Sequence, residues 1–203
     1  MPDIKLFGHP LSGHSYKVKL FLALTHTPHT YEIIDLMTPR PQRPAYFRDN
    51  TRYDEVPLLI IDDKPFVQSN AILLHLSKIL NIFGGAPNQT QCLEWLMWEQ
   101  SRLGSSLPNL RFSRKFKPDT DPAVLAWLEE RLRADLNMLN THFETSGGFV
   151  LNDAPSIADC SLAGYLYWLS DTGLDINSWP YVAAWLTRLS ELDGWQHPDD
   201  LLT

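Results

Sequence analysis

Two serines near the N-terminus, Ser12 and Ser15, lie where the sequence predicts the start of a helix. A helix N-terminus has unpaired N–H groups and a partial positive charge, so it stabilises an anion bound there. A serine hydroxyl at that point can donate a further hydrogen bond, worth about 1.5–3 kcal/mol when the acceptor is charged. The alternative is that one serine only caps the helix, and spacing alone favours this alternative.

A proline follows Val56 at the entry of a short apolar segment that is predicted as a buried strand. X-Pro bonds are where cis peptides occur, although most of them are trans. A cis bond at Pro57 would turn the Val56 backbone outward, where an extended ligand could pair with it like an added strand. An ordinary trans proline entering a strand is the alternative.

A second helix start, at Gln68 and Ser69, offers chemistry of the same kind. Ser69 and the N–H groups of the helix could hold a carboxylate, and Gln68 could add its amide. A capped helix without a ligand is again the alternative. Arg40, Gln42 and Arg43 lie on a proline-rich loop and could meet another anionic end of the ligand, or they could be solvated loop residues.

The elements that must position these residues alternate between strand and helix. The hydrophobic pattern and the turn residues predict strands at 4–8, 30–36, 56–61 and 65–67, and helices at 12–24, 45–49 and 69–79. This order, βαβ-α-ββα, predicts a small mixed sheet with helices packed on its faces.

The rest of the chain has the pattern of helices alone. They are predicted at 90–103, 123–143, 156–170 and 180–192, and Gly147-Gly148 is expected to break the second of them. Gly84-Gly85-Ala86-Pro87 is typical of a linker. We therefore predict an α+β domain at residues 1–79, a linker at 80–88 and an all-helical domain at 89–203.

Composition excludes several classes of function. The chain has 203 residues and a net charge of −7; residues 1–79 carry 9 basic and 8 acidic side chains, and the remainder carries 8 and 16. An acidic chain is a poor binder of nucleic-acid phosphates. No apolar run approaches the roughly 18 residues of a membrane span, and no signal peptide is expected.

Two cysteines, Cys92 and Cys160, suit a reducing cytosol. His9 and His14 have no third ligand nearby, so no metal site is predicted.

Each of these features is weak alone, but their order and spacing resemble those of the cytosolic glutathione S-transferases. The matching segments of the first part are Ser-Gly-His-Ser-Tyr-Lys-Val at 12–18, Val-Pro-Leu at 56–58 and Gln-Ser-Asn-Ala-Ile at 68–72. In the second part, 155–159 looks like that family's helical capping box, and 179–186 looks like its last long helix. The resemblance covers essentially the whole chain and implies a thioredoxin-like domain, a helical domain and glutathione as ligand.

The resemblance also implies roles for individual residues. Val56, before a cis Pro57, is expected to pair through its backbone with the cysteinyl part of glutathione. Gln68 and Ser69 are expected to hold the γ-glutamyl carboxylate. Gln42 matches a glutamine that zeta-like members place near the glycyl end of the tripeptide.

The activating residue implied by the resemblance is a serine. Ser12 matches the serine that theta-like and zeta-like members use on the glutathione sulfur, with Ser15 as the alternative. Tyrosine-type members have a catalytic tyrosine where this chain has Phe7, and cysteine-type members would need a cysteine at position 12. The chain is thus expected to be serine-type, theta/zeta-like and of bacterial type, although 12–15 lacks the cysteine of zeta isomerases. The segment 52–55 replaces the family's usual Asn-Pro, which predicts a remodelled loop.

The function that follows is conjugation of glutathione to small hydrophobic electrophiles in the cytoplasm. The electrophile is expected against the helix that contains Trp98, Gln100 and Arg102. The alternatives are a glutathione-binding or protein-interaction member with little transferase activity, and a zeta-like isomerase. The resemblance also implies a homodimer, with the helices near 71–79 and 91–103 as candidates for the interface. No metal, nucleic-acid or membrane partner is expected.

Overall fold

In the computed structural model the described residues are 2–84, 88–146, 148–151 and 153–203. Their contacts divide the chain into two compact units, Met1–Ile82 with Leu192–Thr203, and Phe83–Glu191. Part of the predicted linker, residues 85–87, and Gly147 of the predicted helix break lie outside the described residues.

The first unit is built on a four-stranded mixed sheet in the order β2-β1-β3-β4. Strand β1 (Ile4–Gly8) pairs in parallel with β2 (Thr30–Ile33) and antiparallel with β3 (Leu58–Ile61). Strand β4 (Lys64–Val67) completes a hairpin with β3. Helix α1 (Gly13–Leu24) connects β1 to β2, whereas α2 (Ala45–Asn50) and α3 (Ser69–Leu80) follow β2 and β4.

The core of this unit lies under the central strands. All four residues of β3 are buried, which is the burial expected of a central strand covered on both faces. A cluster of apolar side chains ties β1 and β3 to the loop segments that carry the candidate site residues: Phe7, Ile34, Phe47, Val56, Leu58 and Ile60. The backbone around Val56 is therefore held by the core.

The second unit is helical, and its described residues form no β-strand element. Its helices are α4 (Gln89–Ser101), α5 (Leu103–Phe116), α6 (Pro122–Ser146), α7 (Ile157–Ala163) and α8 (Pro180–Ser190). Shorter 3₁₀ segments, Leu166–Thr172 and Ile176–Ser178, connect α7 to α8. The predicted fold class, a thioredoxin-like α+β part followed by an all-helical part, is confirmed.

The last segment of the chain packs on α1. It includes a short helix, α9 (Pro198–Leu201). The buried Tyr16 hydroxyl donates a hydrogen bond of 2.9 Å to the Gln196 carbonyl, and His26 Nε2 lies 3.1 Å from an Asp193 carboxylate oxygen. The domain bounds 1–79, 80–88 and 89–203 stay a prediction, but these contacts group Leu192–Thr203 with the first unit.

Candidate functional site

Ser12 is the N-cap of α1. Its backbone is extended, with φ −97° and ψ 108°, and its hydroxyl oxygen accepts a 3.1 Å hydrogen bond from the Ser15 amide. The residue is 9% exposed. Because the oxygen accepts in this bond, its proton is available for another partner, and no acceptor for it is found in the described part of the chain. The Ser12 hydroxyl can therefore donate to an anion placed at the start of α1.

Ser15 occupies a different environment one turn further on. It is 0% exposed, and its hydroxyl oxygen accepts a 3.2 Å hydrogen bond from the His9 amide. Ser15 thus joins the end of β1 to α1 and presents no hydroxyl to solvent. Of the two serines predicted as candidates, Ser12 is the one that borders the surface.

The space below this loop explains the glycine at the end of β1. A Cβ atom at Gly8 would lie 2.6 Å from the Tyr31 hydroxyl and 3.0 Å from the Ser15 Cβ, so only glycine fits without displacement. Burial raises the pKa of Tyr31, which keeps its hydroxyl protonated. Phe7, where tyrosine-type relatives carry their hydroxyl, is fully buried in the core.

His9 lies on the same loop and is not a permanent cation. Burial lowers its pKa, and the nearby Asp35 charge opposes that shift only in part. Its Nδ1 accepts a 3.1 Å hydrogen bond from the Leu11 amide, a role that only the unprotonated nitrogen can perform. The favourable electrostatics for an anion therefore come from the N-terminus of α1.

The Val56-Pro57 peptide bond is cis, as predicted. Both residues are buried, and Val56 belongs to the core cluster of the first unit. Within the described part of the chain, neither the amide nor the carbonyl of Val56 has a hydrogen-bond partner. This backbone edge can therefore pair with an extended ligand.

Gln68 and Ser69 lie at the start of α3, as expected. The N-cap residue is Gln68, with a left-handed φ of 70°, and Ser69 is the first residue of the helix and not its cap. A Ser69 cap would need an extended backbone at residue 69, but that residue is already helical because α3 begins there. Ser69 is 4% exposed, and its hydroxyl has no hydrogen-bond partner in the described part of the chain.

Glu55 is a residue that the sequence did not indicate. Its carboxylate accepts a 3.3 Å hydrogen bond from the Gln68 side-chain amide. This contact brings the start of α3 next to the residue that precedes Val56. In the sequence, Glu55 is marked as a site residue by its place directly before the Val-Pro pair and not by its residue type.

The proline-rich loop is pinned by the remodelled segment before Glu55. Arg43 and Arg40 lie 3.0 Å and 3.6 Å from the Asp54 carboxylate, and Arg43 also donates to the Leu36 and Thr38 carbonyls at 2.8 and 2.9 Å. The expectation that Arg40 and Arg43 meet an anionic ligand is not supported, because both side chains form ion pairs with the Asp54 carboxylate. The predicted Gln42 ends a 3₁₀ helix, Arg40–Gln42, and is exposed.

The described residues contain no cluster of three metal-binding side chains. None of the helices in the described ranges has the length and apolar character of a membrane span.

Comparison with protein families identifies the class. The model of the glutathione S-transferase N-terminal domain matches residues 2–78, and a model of the glutathione S-transferase C-terminal domain matches residues 122–188. The two matches cover most of the chain and coincide with the sheet-containing part and with the helices from α6 to α8. The chain belongs to the glutathione S-transferase superfamily.

Two curated relatives are distant. The chain is 27% identical to glutathione S-transferase A2 of Homo sapiens over 147 residues, which are 69% of this chain and 63% of that protein. The match therefore spans less than two thirds of the human relative's length. The chain is also 24% identical to the disulfide-bond oxidoreductase YfcG of Escherichia coli (strain K12) over 196 residues, 92% of this chain and 81% of the relative.

Solved structures show the same fold. A possible glutathione S-transferase from Rhodopseudomonas palustris has a TM-score of 0.85 and 28% identity, with 97% of this chain and 98% of that one covered. A glutathione transferase homolog from Lodderomyces elongisporus, with two glutathione molecules per subunit, has a TM-score of 0.88 at 19% identity over 100% of both chains. The second likeness is one of fold, and it shows that structural neighbours of this chain bind glutathione.

Proposed function

We propose that this protein is a serine-type glutathione transferase, theta/zeta-like and of bacterial type, that conjugates glutathione to small hydrophobic electrophiles. The observation that carries the proposal is the free proton of the Ser12 hydroxyl, whose oxygen is already bound by the Ser15 amide at 3.1 Å. Ser12 can then donate to the glutathione sulfur without losing its cap.

Activation of the thiol follows from simple electrostatics. A free thiol has a pKa of about 8.5, so little thiolate exists at neutral pH. A hydrogen bond from Ser12 and the positive end of α1 both favour the charged form, and both lower the thiol pKa. The thiolate attacks the electrophile and forms a carbon–sulfur bond. In a substitution the bond to the leaving group breaks, and the leaving group departs with the electron pair. In an addition a π bond of the electrophile breaks, its electron pair moves to the neighbouring atom, and that atom takes a proton from water. Ser12 keeps its proton throughout.

The rest of the tripeptide is proposed to lie along the first unit. The unpaired Val56 backbone bonds the cysteinyl part like an added strand. Ser69 and Gln68 hold the γ-glutamyl carboxylate at the start of α3, and the exposed Gln42 contacts the glycyl end. These roles are supported by the free hydroxyl of Ser69 and by the match of the N-terminal family model.

Substitution of Ser12 tests the proposal. In Ser12→Ala we expect the pKa of bound glutathione to rise by about 1–2 units, since one hydrogen bond to a charged acceptor contributes about 1.5–3 kcal/mol. Turnover of an aryl halide at a pH below that pKa should fall about tenfold or more, with glutathione affinity nearly intact. The thiolate absorbance of the complex, titrated against pH, measures the shift.

Two control variants make the result specific. Ser12→Thr keeps the hydroxyl and should retain most of the pKa depression. Ser15→Ala removes a hydroxyl that is buried against His9, so its effect on the thiol pKa should be smaller than that of Ser12→Ala. An unchanged thiol pKa in Ser12→Ala, or a larger shift in Ser15→Ala, would reject Ser12 as the activating residue.

A second candidate function is reduction of small disulfides by glutathione, which the similarity to the Escherichia coli disulfide-bond oxidoreductase suggests. The two cysteines of the chain are buried in α4 and α7, so bound glutathione would supply the attacking thiolate. That thiolate would form a mixed disulfide and expel the other sulfur, and a second glutathione would release oxidised glutathione. Formation of oxidised glutathione from a model disulfide, without any thioether product, would favour this candidate over conjugation.

A homodimer in the cytoplasm completes the proposal. Exposed apolar side chains support an interface on two helices, Leu74 and Ile79 on α3, and Leu93 and Met97 on α4. Buried free cysteines suit a reducing compartment. A monomeric mass by light scattering at micromolar concentration would reject the dimer. The position of the electrophile against α4 stays a prediction.

A further inference from the structure

His9 closes the turn that leads from β1 into α1. Its carbonyl accepts the Ser12 amide at 3.0 Å, which makes 9–12 a β-turn with Pro10 at the second position. The His9 amide donates to the Ser15 hydroxyl at 3.2 Å. The backbone of His9 thus contacts both serines of the candidate site, and the position of the Ser12 hydroxyl depends on this turn.

The imidazole of His9 completes the turn from the side. Its Nδ1 accepts the Leu11 amide at 3.1 Å, as Asp and Asn side chains do at the first position of such turns. A ring nitrogen that accepts a hydrogen bond carries no proton, so this bond exists only in the neutral ring with its proton on Nε2. Protonation would place an Nδ1–H group against the Leu11 N–H group, and the bond would be lost.

A second half-buried histidine of the first unit has the opposite arrangement. His29 Nδ1 lies 2.9 Å from the Thr27 carbonyl, which can only accept, so this ring donates whether it is neutral or charged. Burial lowers the pKa of both histidines. Protonation keeps the hydrogen bond of His29, whereas it breaks the bond between His9 and Leu11. Of these two rings, only His9 links a proton to the shape of its loop.

The charges that act on His9 stay constant while the ring itself titrates. Asp35, which follows β2, is the acidic group that acts on the ring, and the positive end of α1 contacts the His9 backbone through Ser15. Hydrogen bonds from Thr38 and Met37 lower the pKa of the Asp35 carboxyl, so this group stays ionised. Burial lowers the pKa of His9 below its ordinary value of 6.5. The turn is therefore complete at neutral pH and is lost as the pH falls below that value.

We propose that His9 is a positioning residue for Ser12 and makes the activation of glutathione sensitive to acid. Neutral His9 completes the turn and fixes the Ser12 backbone, so that the Ser12 hydroxyl is held where it donates to the sulfur. Protonated His9 releases the Leu11 amide, and the hydroxyl is then held less well. This inference rests on the proposed function and adds regulation to it. A positive charge on His9 would by itself favour the thiolate, so the turn and the charge predict opposite effects of acid.

Two substitutions of His9 separate the turn from the charge. His9→Asn keeps a side-chain oxygen that accepts the Leu11 amide at every pH, and His9→Leu removes the acceptor. At about pH 5, turnover of an aryl halide by His9→Leu should be about fivefold lower than by His9→Asn, the effect of one ordinary hydrogen bond. The wild type should agree with His9→Asn within about twofold at about pH 7.5 and should approach His9→Leu at about pH 5. Wild-type turnover at or above that of His9→Asn in acid would overturn the proposal.

His29→Asn is the matched control, because it removes another half-buried histidine with a lowered pKa from the same unit. This variant should keep the acid loss of the wild type. The amide signal of Leu11 in a proton–nitrogen NMR spectrum measures the turn without any substrate. It should move with the titration of the His9 ring in the wild type and stay in place in His9→Asn. A Leu11 signal that ignores the titration of His9, or an acid loss that disappears in His29→Asn, would contradict the role of His9.

A Ser12→Ala background shows whether His9 acts through Ser12. There, His9→Leu and His9→Asn should differ less than about twofold in acid, because the hydroxyl that the turn positions is gone. A full fivefold difference in this background would mean that His9 acts on the fold or on the ligand by another route, and the positioning role would be wrong.

Failure of this inference is distinguishable from failure of the proposed function. If Ser12→Ala leaves the pKa of the bound thiol unchanged, activation by Ser12 is wrong, and the positioning role of His9 is rejected with it. If Ser12→Ala raises that pKa but the wild type and His9→Asn have equal turnover in acid, the proposed transferase stands and the role of His9 is wrong.

Discussion

Two helices of this chain begin at a serine cap, and the two caps are used differently. Ser12 precedes α1 in the first unit, and Ser156 precedes α7 in the helical unit. Each hydroxyl accepts a hydrogen bond from the first turn of its helix, 3.1 Å from the Ser15 amide and 3.2 Å from the Ala158 amide. The difference lies three residues after the cap, where α1 has Ser15 and α7 has Asp159.

Asp159 closes the start of α7. Its carboxylate accepts the amide and the hydroxyl of Ser156 at 2.8 and 2.9 Å, the Val150 amide at 2.9 Å and the Trp185 indole at 2.9 Å. Burial raises the pKa of the Asp159 carboxyl, and these hydrogen bonds oppose the rise. The proton of Ser156 is thus used inside the protein, whereas that of Ser12 is available to a ligand. The same kind of serine cap therefore stabilises the helical unit at Ser156 and forms part of a candidate reactive site at Ser12.

The largest expected effect comes from opening the closed cap. Asp159→Ala leaves buried donors of Ser156, Val150 and Trp185 without their acceptor, and it should lower the free energy of unfolding by about 3–5 kcal/mol. Urea unfolding followed by tryptophan fluorescence measures the loss. Asp153→Ala, at an exposed position of the same segment, should change stability by no more than about 0.5 kcal/mol. A loss below about 1 kcal/mol in Asp159→Ala would mean that the hydrogen bonds of Asp159 do not stabilise the fold.

The sequence predicts local features of this comparison well. The capping box is visible because its parts lie within four residues of one another, and the structure confirms it. The cap at Ser12 and the helix to Leu24 are likewise confirmed. The cis bond before Pro57 was predicted from resemblance, since its residue types alone favour trans.

Features that depend on distant contacts were not predictable. Helix α5 was missed because it contains Gly104 and Pro108, both of which normally weaken or end a helix. In the structure Leu103, Leu107 and Leu110 are buried on one side of α5, so tertiary packing overrides propensity. The contact between Glu55 and Gln68 joins residues that lie 13 positions apart in sequence. No local pattern indicates such a contact.

Removal of each cap hydroxyl should have an intermediate effect on stability, and the two losses can be compared directly. Ser12→Ala should cost about 1 kcal/mol of stability, the usual value for a lost helix cap, because it breaks only the bond from Ser15. Ser156→Ala should cost about 2 kcal/mol, since it also removes a donor to the buried Asp159. Urea midpoints at constant slope measure both. Equal losses would show that the extra bond of Ser156 contributes nothing measurable.

The smallest expected effect is on the reactivity of the cysteine thiols. This reactivity measures how often the start of α7, which Ser156 and Asp159 hold closed, opens in the folded protein. Cys160 follows Asp159 in the first turn of α7, and burial together with the Asp159 charge raises its pKa well above that of a free thiol. Burial also raises the pKa of Cys92. Since only the thiolate reacts, neither thiol should be modified by an aromatic disulfide reagent at neutral pH in the folded protein, whereas both should react in urea.

In a Cys92→Ala background, Ser156→Ala should speed the reaction of Cys160 because the closed cap opens more often, and Ser12→Ala should leave the rate unchanged. Equal acceleration by the two variants would mean that the α1 cap and the α7 cap stabilise the same cooperative unit, and the division into a structural cap and a ligand cap would then fail at the level of folding.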